Sequence, residues 1–156
     1  MILITDTREQ APYAFERFDV QTVRAALPTG DYSLPGFEDR AAIERKSLND
    51  LIGGCLMGSN RERFERELAR AAHYDLFAVV VEATLLDVSR GNYRSKMNSH
   101  AALQSLVSFQ VRYRIPFIWA GNRAGGEYMV HALLSKYLYE IGKRYEMATK
   151  AQGQTA

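Results

Sequence analysis

The sequence holds one cysteine, Cys55, among its 156 residues. A single thiol excludes an internal disulfide and a cysteine-rich zinc centre, and makes a cytosolic protein the default. No apolar run approaches the roughly 20 residues of a membrane span. The N-terminus also lacks the charged-then-apolar pattern of a secretory signal. The expectation is a cytoplasmic protein, nucleoid-associated if bacterial, with no membrane partner. An excess of one charge is missing too: the formal net charge is only +2, so bulk charge does not argue for nucleic acid. The glycine-rich run Gly121–Gly126 lacks the Lys-Ser/Thr that a phosphate-binding loop requires, and reads as a turn. Internal repeats and linkers are absent. What remains is one domain of ordinary composition, long enough to bury a core. Its expected bounds are 1–147, with a flexible polar tail at 148–156.

The apolar pattern that is present divides the chain clearly. Met1–Thr5 is a short β-branched run, read as a buried strand that ends in the charged cluster Asp6-Thr7-Arg8-Glu9. Residues 20–27, 31–34 and 41–46, separated by Pro28-Thr29-Gly30 and Pro35-Gly36, read as an antiparallel meander. Ser47 fits the N-cap of a short helix that Gly53-Gly54 should weaken. Residues 61–72 form an amphipathic helix with Phe64, Leu68, Ala71 and Ala72 on its apolar stripe. Leu76–Val81 is continuously apolar, as in a strand buried on both faces. Ser99 caps a helix running to Arg114, a strand follows Pro116, and a last helix covers about 127–143. This order predicts α/β layers around a mixed central sheet.

The chemistry concentrates between Gly30 and Asp50. Side chains alternate along a strand, so Glu44 and Lys46 share one face while Ile43 and Arg45 take the other. Asp31, at the start of the preceding strand, converges on the same place if the two strands pair. Hard carboxylate oxygens beside an ammonium suit a divalent cation and a phosphate. A structural ion-pair network explains the same charges, though not their clustering at strand ends. Asp6 fits a turn cap as well as a site, and Asp50 fits an acidic capping box with Ser47. Glu82 reads as a cap for the next turn or a more distant support for a metal. Arg61 and Arg63 on the helix, and Arg94 and Lys96 in a polar loop, are candidate phosphate contacts. Solvated, salt-bridged surfaces are the alternative for each.

Taken together, Asp6-Thr7-Arg8-Glu9, Gly30-Asp31-Tyr32 and Ile43-Glu44-Arg45-Lys46-Ser47-Leu48-Asn49-Asp50-Leu51 resemble the signature of the XPF family of structure-specific nucleases. The family pattern is Gly-Asp, then Glu-Arg-Lys, then Asp four residues after the Lys, and the resemblance covers about residues 1–140. It implies a restriction-endonuclease-like core and a Mg²⁺- or Mn²⁺-dependent endonuclease acting on branched, forked, flapped or nicked DNA in repair or recombination. It further implies metal binding by Asp31 and Glu44, with Asp6 nearby. Lys46 is implied to orient or activate water, or to stabilise charge developing on the phosphate. Arg8, Arg45 and Asp50 match further positions of the family's motif. Arg45, facing away from Glu44, should brace the site through a buried ion pair with a flanking acid. No counterpart of the family's helicase region or tandem helix-hairpin-helix module is expected within these 156 residues. The expectation is therefore a compact free-standing form of the bacterial or phage kind, with a homodimer or a partner protein supplying extra DNA binding. The rival expectation is a non-catalytic DNA-binding or assembly subunit. Such chains lose the acids or the lysine, and this one keeps them.

Overall fold

A computed structural model describes residues 1–153. It contains six strands, β1 (Ile2–Asp6), β2 (Gln21–Ala25), β3 (Tyr32–Ser33), β4 (Ala41–Lys46), β5 (Leu76–Val81) and β6 (Phe117–Trp119). Five helices accompany them: α1 (Leu48–Cys55), α2 (Gly58–Ala71), α3 (Leu85–Ser89), α4 (Ser99–Tyr113) and α5 (Arg123–Gly153). The strands make one mixed sheet in the order β2-β1-β3-β4-β5-β6, with helices on both faces as expected.

Strand alternation builds the two cores. Ala42, Val79 and Val81 face Leu51, Ile52, Phe64, Leu68, Leu106 and Phe109 from α1, α2 and α4. The intervening Ala41, Ile43, Ala78 and Val80 face Tyr13, Phe15, Val130 and Leu134, so α5 and the N-terminal connector cover the other side. Both faces of β4 and β5 are thus dry, which is why their sequences are continuously apolar up to Ile43 and Val81.

The meander is half right. β3 and β4 pair antiparallel, but β2 lies at the far edge, parallel to β1. Its residues Gln21–Arg24 are exposed, and a strand so poor in apolar side chains belongs at an edge. Helix boundaries also differ. α1 runs through Gly53-Gly54, held by buried Leu51, Ile52 and Cys55. α2 starts at Gly58 rather than at Arg61. Asn98, not Ser99, caps α4, its side chain accepting from the Ala101 N–H.

The last helix begins four residues early and extends ten residues late, to Gly153. At its start Gly126 packs against Tyr13; a Cβ there would lie 2.1 Å from the Tyr13 hydroxyl, so the supposed turn glycines instead permit close helix packing. The helix thus runs past the expected domain end at 147 into the segment expected as a tail, 148–156, of which 154–156 lie outside the described residues. Among the described residues no helix is long and apolar enough to cross a membrane.

Candidate active site

The C-terminal ends of β1 and β4, the turn before β3 and one face of α2 enclose an open cleft of about 690 Å³. Asp31 stands in that turn because Gly30 makes the bend. Gly30 has φ +82°, and a Cβ would come 3.0 Å from Ala42 Cβ and 3.3 Å from the Ile43 carbonyl. The Asp31 N–H donates to the Ile43 carbonyl at 2.8 Å, and the Asp6 N–H donates to the Asp31 carbonyl at 2.8 Å. The residue is therefore locked between β1 and β4. Its Oδ2 accepts from the Arg45 N–H at 2.8 Å, and Oδ1 has no hydrogen-bond partner among the described residues.

Strand parity holds in full. Glu44 is 5 % exposed and is ion-paired to Lys46 on the same face of β4. The Lys46 ammonium also lies 5.8 Å above the Phe64 ring. Burial pushes the Asp31 carboxyl up to about 6, opposed by the Arg45 N–H and the Lys46 ammonium. Burial pushes Glu44 well above its ordinary value, against the pull of Lys46 and with a further push from Asp31 and Glu67. Lys46 is held far above the ordinary lysine value by Glu44 and Asp31, although burial opposes this, so it remains an ammonium.

On the opposite face Arg45 makes the expected brace. It forks onto Glu9, Nε to Oε2 at 2.9 Å and Nη2 to Oε1 at 3.2 Å, and lies 3.3 Å from Glu82. Glu82 also accepts from the Tyr13 hydroxyl at 2.7 Å and from Arg123 at 3.3 Å. Glu82 thus braces the back of the site rather than capping the next turn. The partner acids were not legible in advance, because Glu9 and Glu82 come from distant segments.

The remaining candidates separate by position. Asp6 lines the cleft, but its carboxylate accepts from the Arg8 N–H, Nε and Nη2 and from the Leu27 N–H, at 2.6–3.1 Å. It is 1 % exposed, so its oxygens are committed to the turn and are poorly available to a cation. Arg8 is tied to Asp6 and to the Leu27 carbonyl, yet its side chain is largely exposed at the mouth of the cleft. Asp50 lines the cleft while accepting from the Ser47 hydroxyl at 2.6 Å, its own N–H bonded back to that oxygen; the capping geometry is real.

Arg63 lines the cleft, whereas Arg61 turns to α4, donating to Ser105 and lying over Phe109 at 4.9 Å. Arg94 and Lys96 are exposed outside the cleft, on a loop tied to α1 by the Arg94 N–H, which donates to the Asn49 side-chain Oδ1 at 2.9 Å. Of the charged cleft residues, the sequence reading singled out neither Glu67 nor Arg70. Their spacing from Arg63, four and seven residues on, was the available signal.

The site therefore presents two partly desolvated carboxylates and an ammonium at the end of a rigid sheet. Among the described residues no three His, Cys, Asp or Glu side chains form a ready-made metal cluster. Two carboxylates nevertheless fit Mg²⁺, which keeps waters and takes substrate phosphate oxygens as its other ligands.

Comparison with known proteins decides the lineage. A family model described as the ERCC4 domain matches residues 5–133.

The chain belongs to the ERCC4-domain family.

The resemblance to XPF nucleases is thereby borne out, and so is the fold. XPF from Aeropyrum pernix superposes with a TM-score of 0.70 at 23% identity, covering 94% of this chain and 70% of that one. XPF from Aeropyrum pernix in complex with DNA gives a TM-score of 0.67, also at 23% identity, covering 89% of this chain and 66% of that one. At this identity the likeness is one of fold. No curated protein sequence matches the chain. The ERCC4-domain match spans the whole cleft, from β1 through β4 and α2 into α5.

Proposed function

We propose that this ERCC4-domain protein is a metal-dependent DNA endonuclease that hydrolyses phosphodiester bonds in branched, forked or flapped DNA. The observation that carries the reading is the convergence of Asp31, Glu44 and Lys46 in one open cleft of an ERCC4 domain. Asp31 and Glu44 hold the cation, Mg²⁺ or Mn²⁺, with Asp6 holding the turn around them. A bound divalent cation supplies polarisation of the phosphate and a water of lowered pKa.

The chain's own groups do the rest. Lys46 stays protonated, so it serves as a hydrogen-bond donor and a cation, orienting water or stabilising charge on the phosphate, and not as a base. Arg45 fixes the backbone of β4 from behind, and its N–H fixes the Asp31 carboxylate. Arg8, at the cleft mouth, is placed to meet a phosphate. Arg94 and Lys96 offer a contact to duplex flanking the cleft.

The test incubates the full chain with end-labelled fork, flap, nicked and plain duplex DNA, with Mg²⁺, Mn²⁺ or EDTA. Cation-dependent cutting that favours a branched or flapped substrate supports the reading. No cutting of any substrate, or cutting that persists in EDTA, refutes it.

A further inference from the structure

Resting on that reading, we infer a second phosphate subsite on the α2 wall of the cleft, formed by Arg63 and Arg70. It receives a backbone phosphate neighbouring the one held at Asp31, Glu44 and Lys46. Three observations carry it.

Arg63, Glu67 and Arg70 fall at i, i+4 and i+7, so they share one face of α2, and all three line the cleft. The adjacent stripe, Phe64, Leu68 and Ala71, is buried in the core, which fixes the rotation of the helix and holds Arg63, Glu67 and Arg70 beside the core on the cleft side. Second, the helix's arginines are not equivalent. Arg61 is spent on Glu65, Ser105 and the Phe109 ring. Arg63 and Arg70 are exposed, and neither has an ion-pair partner among the described residues. Third, the wall is latched to the catalytic turn. The Thr29 hydroxyl donates to Glu67 Oε1 at 3.2 Å, and Thr29 is 3 % exposed, two residues before Asp31.

A rise of about 1.5 Å per residue puts the two arginines roughly 10 Å apart along the helix. That separation lets them follow a strand rather than clamp one oxygen. The intervening Glu67 carboxylate repels a phosphate placed directly between them. The strand is thereby confined to two contacts, one at each arginine, with the latch setting their distance from Asp31. Guanidinium groups suit this task because they bind phosphate oxygens bidentately. Phosphate contacts of this kind position the substrate without reading its sequence.

The experiment measures DNA affinity against salt, in Ca²⁺ to hold the complex without turnover, for the parent, Arg63→Ala, Arg70→Ala, the double variant and Arg66→Ala. Arg66 is exposed on α2 and does not line the cleft, which makes it the control for general surface charge. Each cleft arginine removed should lower the slope of log K against log salt by about 0.9 on duplex or about 0.7 on single strand. The double variant should lose about twice that, and Arg66→Ala should keep the parental slope. A double variant with the parental slope, or an Arg66→Ala loss equal to either cleft variant, overturns the subsite while leaving the nuclease reading intact. A parent that binds no DNA overturns both.

Discussion

Replacing Asp31 by Asn should make the protein more stable while abolishing its chemistry. Below about pH 3 the carboxyl is neutral in folded and unfolded chains alike, and burial costs nothing extra. Between its ordinary value near 3.9 and its folded value of about 6, the unfolded chain releases the proton and the folded chain keeps it. Folding stability is therefore lost as pH rises through that window, and the loss is flat above it. The interval corresponds to about 2–3 kcal/mol at pH 8, shrinking to about 0.5 kcal/mol at pH 4.

Asn removes the buried charge and keeps an oxygen that can accept from the Arg45 N–H. It also relieves Glu44, whose carboxyl is pushed up by Asp31. Urea unfolding followed by the fluorescence of Trp119, the sole tryptophan, should place Asp31→Asn above the parent by about 2–3 kcal/mol at pH 8, with the gap nearly closed at pH 4. An Asn variant less stable than the parent at pH 8, or a gap that does not change with pH, refutes the assignment of a desolvated carboxylate at this position.

The supporting framework makes its own predictions. Arg45→Ala strands Glu9 and Glu82 in a buried setting and should cost about 3–5 kcal/mol in urea unfolding at pH 7. Gly30→Ala forces a side chain into positive φ against Ala42; it should cost at least about 1–2 kcal/mol and lower Tm by scanning calorimetry. Lys46→Met removes the cation that opposes the rise of Glu44, so its stability deficit should be larger at pH 9 than at pH 6. A deficit independent of pH would show that the pair is not coupled as described.

Period-two alternation made the core of this site readable in advance. It placed Glu44 with Lys46 and sent Arg45 to the other face, and the continuously apolar β5 fixed the buried centre of the sheet. The acids that hold Arg45 were not readable, because Glu9 and Glu82 reach it by tertiary packing alone. β2 was misplaced for a related reason: parallel pairing to β1 leaves no mark on a polar five-residue strand. Asp6 illustrates the limit of motif reasoning. Its position in the signature marks it as a site residue, but its four hydrogen bonds show a carboxylate organising the turn. Glu67 and Arg70 were hidden by the abundance of charge on α2, where only the tertiary rotation of the helix separates cleft residues from solvated ones.

The most direct test of the central claim is single-turnover cleavage of a labelled flapped DNA in Mg²⁺, with equal concentrations of parent and Asp31→Asn. The account predicts cutting by the parent and a rate lower by on the order of 10²-fold or more for the variant, although the variant is the more stable protein. Equal rates for the two, or no cleavage by the parent, would contradict it.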